Sequence, residues 1–135
     1  MKRILLIALA CLFAAAGMVK AQSKSDGVEV VYFHGKQRCP TCMAIEKYAR
    51  EVVERDFTEL VKKGLVRFRA VDISTEEGAK QAKAYKVSWS SLYVNTWKKG
   101  KETRKDMTRF GFQHACSKTE EFKKGLKAEI NGQLK

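Results

Sequence analysis

The stretch that decides the fold is YFHGKQRCPTCMAIEKY, residues 32–48, in which two cysteines are separated by two residues. An apolar segment ends before Cys39, and apolar side chains recur at helical spacing after Cys42. The pair therefore lies where a predicted strand gives way to a predicted helix. Cysteines at this spacing form a redox pair, half of a metal site or a structural disulfide, and the rest of the chain must decide among them.

The N-terminus predicts export. The chain starts with two basic residues after Met1, residues 4–16 are apolar, and Val19 and Ala21 occupy the two positions that signal peptidases read. The apolar run is shorter than the roughly 18 to 20 residues needed to cross a bilayer. We therefore expect a signal peptide at residues 1–21 and no permanent membrane span after processing. The mature protein would be exported, and periplasmic if the cell has an outer membrane.

The remaining chain has the length of one domain, with a polar tail predicted at residues 22–27 and a packed domain at residues 28–135. Of the 27 basic side chains, three lie in the signal peptide, which leaves 24 basic against 15 acidic ones. The lysines are mixed with glutamates at helical spacing, and no basic block has interleaved aromatic residues. This pattern predicts solvated helix faces and no nucleic-acid partner.

Hydrophobic periodicity predicts alternating strands and helices in the first half of the domain. The first strand is apolar on both faces, which is typical of a central strand. The first helix changes phase near Asp56, which predicts a kink or a second short helix there, and Gly64 ends it. Ser74 or Thr75 is expected near the cap of the second helix. In chain order the predicted elements are strand 28–33, helix 39–63, strand 65–73 and helix 75–85.

The second half predicts a hairpin followed by a helix. Residues 92–97 and 102–108 flank the turn KKGK, in which Gly100 is suited to positive φ. Ser117 and Glu120 have the spacing of a capping box at the start of the last helix. The predicted order of elements is strand, helix, strand, helix, strand, strand, helix. This order indicates an α/β fold with a mixed central sheet and helices on both faces. The apolar face of the last helix carries Phe122, Leu126 and Ile130.

This order and the cysteine motif resemble the thioredoxin superfamily from about residue 28 to the C-terminus. CPTC follows the first strand and opens the first long helix, as the active-site motif of the superfamily does. The turn KKGK stands where the superfamily has its final hairpin. The resemblance implies a thioredoxin-like fold and thiol–disulfide exchange with protein thiols and disulfides. It also implies a separate redox partner and no bound cofactor.

The two cysteines are expected to have different roles. A helix N-terminus stabilises a thiolate, so the pKa of Cys39 should be lowered, with Arg38 beside it adding positive charge. Pro40 suits the first helical position, where no backbone N–H is needed. Cys39 would attack a partner disulfide and Cys42 would resolve the mixed disulfide. Arg38, Pro40 and Thr41 are therefore the residues expected to tune the pair.

Other uses of the cysteines remain open at this point. Cys39 and Cys42 could form a structural disulfide, or bind zinc together with Cys116, His34 or His114. The main alternative function is a binding module for a soft metal or arsenite that uses Cys39, Cys42 and Cys116. Cys116 itself is expected to be a buried core residue, although the resemblance places its loop near the active-site groove.

The chain departs from the superfamily at two places. Ser90 stands where the superfamily has a cis-proline, and Trp89, Ser90 and Ser91 are the candidate substrate groove. The superfamily's buried carboxylate falls at Tyr32, and helical spacing places Glu46 on the wrong face to replace it. These departures leave substrate recognition to residues particular to this chain.

A narrower similarity is carried by FHG, two residues, and then RCPTC. These residues are similar to a small set of thioredoxin-fold proteins named as nitrophenyl-compound reductase subunits. The chain has no flavin or nicotinamide signature, so any nitro reduction would need another subunit to supply the cofactor.

Overall fold

The computed structural model describes residues 25–135. The predicted signal peptide and residues 22–24 of the predicted tail lie outside the described residues. Across residues 25–135, the search for a helix with the length and apolar character of a membrane span found none.

A mixed four-stranded sheet lies at the centre of the fold. Its strands are β1 (Gly27–His34), β2 (Val66–Asp72), β3 (Ser91–Lys98) and β4 (Lys101–Asp106). The spatial order is β2-β1-β3-β4, with β1 parallel to β2 and antiparallel to β3, and β4 antiparallel to β3. The predicted central strand is confirmed, because β1 has neighbours on both sides and six consecutive buried residues.

The helices differ from prediction mainly near the C-terminus. Three of them, α1, α3 and α5, correspond to predicted helices, whereas α4 was not predicted. In chain order they are α1 (Pro40–Glu51), α2 (Thr58–Lys62), α3 (Glu76–Tyr85), α4 (Thr108–His114) and α5 (Thr119–Leu134).

The predicted break near Asp56 is confirmed. A single π-helical segment, Val52–Asp56, separates α1 from α2. The wider turn shifts the helical phase, so that Val52, Val53 and Phe57 are all buried in the core. Gly64, at φ +72°, then ends the helical region as expected.

The hairpin forms at the predicted turn, but its second strand is shorter than expected. Lys99 and Gly100 both have positive φ, +52° and +77°, which matches the tight turn of a two-residue hairpin. Strand β4 stops at Asp106, whose Oδ1 accepts a hydrogen bond from the Thr108 backbone N–H at 2.8 Å. The chain then enters α4, so the prediction of a strand through residue 108 was wrong in its last two residues.

The capping box predicted at Ser117 is also wrong. Helix α5 begins at Thr119, and no side chain caps it. The Lys118 backbone N–H donates to the His114 carbonyl at 2.8 Å, and the Thr119 hydroxyl donates to the Ala115 carbonyl at 3.0 Å. These two bonds tie the start of α5 to the last turn of α4, so the chain enters α5 from the preceding helix without a capping side chain.

Two apolar clusters pack on opposite faces of the sheet, which confirms helices on both sides. The smaller cluster joins Val31 and Phe33 of the sheet to Ala82 of α3. The larger one lies between the sheet and α1, α4 and α5, and the three predicted apolar residues of the last helix are fully buried in it. Its large buried side chains include Val30, Tyr32, Ile45, Phe122, Leu126 and Ile130.

The predicted site lies at one end of the sheet. Strands β1, β2 and β4 end there, and β3 begins there, as the pairings of Phe33 with Ser91 and of Tyr93 with Asp106 show. Helix α1 also begins at this end, directly after the loop that follows β1. We call it the cysteine end of the sheet.

Candidate functional site

The two cysteines of the CPTC motif are disulfide-bonded at the start of α1, with Cα atoms 5.0 Å apart. Cys39 is the N-cap residue of the helix, in an extended conformation, and is exposed. Pro40 occupies the first helical position, as predicted. Cys42 lies one turn further along and is only 7% exposed. A partner sulfur therefore has access to Cys39 and very little access to Cys42.

The first turn of α1 directs a backbone donor at the Cys39 sulfur. The Cys42 backbone N–H donates to the Cys39 sulfur at 3.1 Å, which is the contact of a capping side chain. No acidic residue lies in this turn. A thiolate at Cys39 would meet the same N–H group and the positive end of the helix dipole, so the geometry favours the anion after reduction.

Arg38 and Glu46 form an ion pair beside the cysteines. This corrects the expectation that Glu46 points away from the site: it lies four residues after Cys42, on the same side of α1, and its side chain is only 19% exposed. Arg50 contacts the same carboxylate at 3.3 Å. Partial burial opposes ionisation, but the hydrogen bond from Arg38 and the surrounding positive charge outweigh it and lower the pKa of Glu46.

Tyr32 is fully buried where the resemblance places a carboxylate. Burial raises the pKa of Tyr32 above its ordinary value, and the nearby Ser90 side chain and the Arg38 charge offset only part of that increase. The hydroxyl has no well-formed hydrogen bond to any described residue. A phenol in this state stays protonated at neutral pH, so it can donate a hydrogen bond but is a poor proton acceptor.

The three candidate groove residues have different environments. The Ser90 side chain lies near the Tyr32 hydroxyl and offsets part of the increase in the pKa of that group. Trp89 is 60% exposed and stacks on Phe112 of α4, with ring centroids 5.4 Å apart. Ser91 is buried, and its hydroxyl donates to the Trp89 carbonyl at 3.1 Å, so it supports the segment and is not available to a substrate. The helix that carries Phe112 was not predicted, because seven residues show too little periodicity to be recognised.

Cys116 does not have the predicted environment. It is a free and exposed thiol, because the adjacent Ala115 takes the buried position between α4 and α5. Across residues 25–135, no group of three or more His, Cys, Asp or Glu side chains could hold a metal ion. The three-thiol site with Cys39 and Cys42, and the zinc sites with His34 or His114, are therefore not assembled in this conformation.

Comparison with solved structures supports the predicted fold. The chain is similar to the solution structure of a thioredoxin from Thermus thermophilus, with a TM-score of 0.50 and 20% sequence identity over 76% of this chain and 72% of that chain. It is also similar to a malarial protein, with a TM-score of 0.43 and 18% identity over 73% of this chain and 96% of that chain. Searches with protein-family models and against curated sequences gave no match. The likeness to thioredoxin shows the fold alone, and with the strand order it establishes that this chain has a thioredoxin-like fold whose CPTC pair opens the first long helix.

Proposed function

We propose that the protein is an exported thiol–disulfide exchange protein that acts on protein substrates through Cys39 and Cys42. The observation that carries this proposal is the asymmetric pair at the start of α1, in which Cys39 is exposed and Cys42 is buried. A thioredoxin-like fold by itself accommodates many functions, so the proposal depends on this geometry and not on the fold.

The reaction transfers two electrons between the pair and a partner. In the reducing direction, the Cys39 thiolate attacks a partner disulfide, forms a mixed disulfide and releases one partner thiolate. The Cys42 thiol then loses its proton to solvent and attacks the Cys39 sulfur, which restores the intramolecular disulfide and releases the second partner thiolate. The same steps in reverse oxidise a partner dithiol. A second dithiol or disulfide protein must return the pair to its starting state.

Export is the part of the proposal that rests on sequence alone. The predicted signal peptide would deliver the domain to a compartment where disulfides persist, and to the periplasm in a cell with an outer membrane. The similarity to nitrophenyl-compound reductase subunits fits the same chemistry, because a dithiol carries two electrons. Any flavin or nicotinamide in such a system would belong to another subunit.

The competing interpretations have less support. A structural disulfide that closes so short a loop constrains the unfolded chain little, and it gives no reason for an exposed sulfur at a helix N-terminus. Binding of a soft metal or arsenite by three thiols would require Cys116 to join the pair, yet no such cluster exists among residues 25–135.

The proposal is tested by trapping mixed disulfides. Cys42→Ser should accumulate disulfide-linked partners on non-reducing gels, because nothing remains to resolve the bond at Cys39. Cys39→Ser should trap none and should lose disulfide exchange. Cys116→Ala is the matched control and should behave like the unaltered protein. Equally slow alkylation of both motif thiols in the reduced protein, with no trapping by either serine variant, would favour the structural disulfide.

A further inference from the structure

A groove of about 660 Å³ lies at the cysteine end of the sheet, between the segment before β3 and helix α4. We call it the aromatic groove. Trp89, Tyr93 and Phe112 line it together with the charged residues Lys86, Arg109 and Asp106. Both catalytic candidates, Cys39 and Cys42, lie outside its lining, so the groove is an additional feature of this end of the molecule.

The groove lies at the same end of the sheet as the disulfide. Its lining includes Ser91 at the start of β3 and Asp106 at the end of β4, which are both at the end of the sheet where α1 begins. Ser90 lies between the groove residues Trp89 and Ser91. Its side chain also lies near the Tyr32 hydroxyl, close to Arg38, so it connects the groove with the surroundings of the cysteine pair. A polypeptide bound at Cys39 can therefore extend towards the groove.

Exposed apolar side chains are concentrated at this end. Within residues 25–135 the exposed large hydrophobic residues are Met43, Leu65 and Trp89. Met43 follows Cys42 in the first turn of α1, and Trp89 lines the groove, so two of the three flank the cysteine end. The Trp89 indole keeps 60% of its surface exposed even though it stacks on Phe112. An exposed tryptophan stacked on a half-buried phenylalanine is typical of an interaction surface.

The charges of the groove favour an acidic ligand. Neither Lys86 nor Arg109 has an ion-pair partner among the described residues, whereas nearby Arg104 is paired with Glu102. The one carboxylate, Asp106, accepts hydrogen bonds from the Thr108 backbone N–H at 2.8 Å and from the Tyr93 hydroxyl at 3.4 Å. Two cations and one carboxylate therefore line the groove, which leaves it with a net positive charge.

We propose that the aromatic groove docks a segment of the exchange partner in which a large apolar or aromatic side chain is flanked by acidic side chains, close to the reacting cysteine. The apolar side chain packs on Trp89 and Phe112, and the carboxylates pair with Lys86 and Arg109. This inference rests on the proposed function and adds a substrate class to it. The groove selects the partner, while Cys39 and Cys42 carry out the exchange.

The test uses three probe disulfides that share one uncharged leaving group, 2-thiopyridine, whose release is followed by its ultraviolet absorbance. The first two are short peptides with one cysteine joined to 2-thiopyridine and a phenylalanine beside it, flanked by glutamates in one peptide and by lysines in the other. The third is the mixed disulfide of uncharged 2-mercaptoethanol with 2-thiopyridine. In each case the Cys39 thiolate of the reduced protein forms a bond to the probe sulfur and releases 2-thiopyridine, which takes up a proton from solvent. Cys42 then displaces the probe thiol and closes the disulfide.

The acidic peptide should react about threefold to tenfold faster than the basic peptide at low salt, since each exposed charge pair contributes modestly. This preference should shrink in concentrated salt, which screens surface charges. The double variant Lys86→Ala, Arg109→Ala should remove most of the preference and leave the rate with the small probe unchanged. A double variant of Lys63→Ala and Lys124→Ala, which removes the same charge from outside the groove, should keep the preference.

The aromatic part of the groove has its own variant. Trp89→Ala should slow the reaction with both peptides by a larger factor than the reaction with the small probe, because it removes the exposed ring on which the phenylalanine packs. Equal rates for the acidic and basic peptides, with normal reaction of the small probe, would overturn the docking proposal and leave the exchange function standing. Failure of the reduced protein to react with the small probe would overturn both.

Discussion

Glu46 forms an ion pair with Arg38, the cation that directly precedes the exposed Cys39. A cation beside a thiolate lowers its pKa and makes the dithiol form easier to reach, which raises the reduction potential. A carboxylate that is bonded to the same cation weakens this effect. The ion pair therefore lowers the reduction potential of the Cys39–Cys42 disulfide.

We expect Glu46→Gln to raise the reduction potential of the Cys39–Cys42 disulfide. Loss of the negative charge leaves Arg38 free to stabilise the thiolate, by about 10 to 30 mV if the effect is worth up to about 1.4 kcal/mol. The measurement is equilibration with glutathione buffers of defined potential. Glu54→Gln is the control, because that side chain is 59% exposed and contacts only Arg50, at 4.0 Å. A potential that falls, or that changes equally in both variants, would contradict this role.

The same residue should give the oxidised protein a pH-dependent stability. Because the pKa of Glu46 is lowered in the folded state, its ionised form stabilises the protein above the ordinary carboxyl pKa of 4.5, and this contribution is lost as the pH falls through the lowered value. Glu46→Gln should therefore be less stable by about 0.5 to 1.5 kcal/mol at neutral pH. The difference from the unaltered protein should shrink at acidic pH, below the lowered pKa of Glu46, where this carboxyl is protonated. Urea unfolding at the two pH values checks this, and an equal deficit at both would refute it.

At the scale of the elements, the start of α3 is bound tightly to the end of β2. The Thr75 hydroxyl accepts a hydrogen bond from the Gly78 backbone N–H at 3.0 Å and donates to the Asp72 carbonyl at 2.8 Å. Gly78 is buried directly against that carbonyl, so a Cβ atom there would overlap the Asp72 backbone. The helix depends on this glycine for close packing and not for positive φ.

Gly78→Ala should destabilise the protein by about 2 to 3 kcal/mol, because the backbone of β2 would have to move. Gly132 in α5 is the matched control, since a Cβ added there meets no atom within 4 Å. Gly132→Ala should be neutral or stabilising by up to about 1 kcal/mol, as expected for replacing a helical glycine. Urea unfolding of both variants distinguishes packing from helix propensity. Stabilisation by both substitutions would show that the close contact is unimportant.

At the scale of the whole molecule, the first strand begins after the predicted cleavage site of the signal peptide. Strand β1 begins at Gly27, and the Asp26 carboxylate accepts a hydrogen bond from the Lys99 backbone N–H at 2.8 Å. Cleavage after Ala21 would therefore cut before the first strand and before this contact. The folded domain would lose none of its described elements.

We expect mature protein recovered from the cell envelope to begin at Gln22. N-terminal sequencing checks this, because Ala21 and Val19 form the best cleavage site in the sequence. Protein that retains Met1 in the membrane fraction would contradict the prediction of a processed, exported domain. Lipid attached to Cys11, a cysteine within the apolar run of residues 4–16, would instead show a tethered domain.

Local sequence was sufficient for much of this architecture. Spacing of apolar side chains predicted β1, the long helix after the cysteines and its break near Asp56, because these features depend on neighbours three or four residues apart. The location of Cys39 and Cys42 at a helix start followed from the same pattern, with Pro40 as the signal. The short helix α4 was missed, and the capping box at Ser117 was wrong, because the turn between α4 and α5 is stabilised by backbone contacts that the sequence does not reveal.

The sequence by itself determined the order of the strands and of every helix except α4, and it placed the cysteine pair at the N-terminus of α1. Only the tertiary structure decided which side chains surround that pair. Glu46 meets Arg38, Tyr32 is buried beside Ser90, and Trp89 stacks on Phe112, while Cys116 is exposed and apart from the motif. The physical reason is the distance along the chain between residues in contact. Periodicity reports contacts between residues of one helix or strand. The residues around the cysteines are far apart in sequence, and the pairing of β1 with β3 and the packing of α4 against the sheet bring them together.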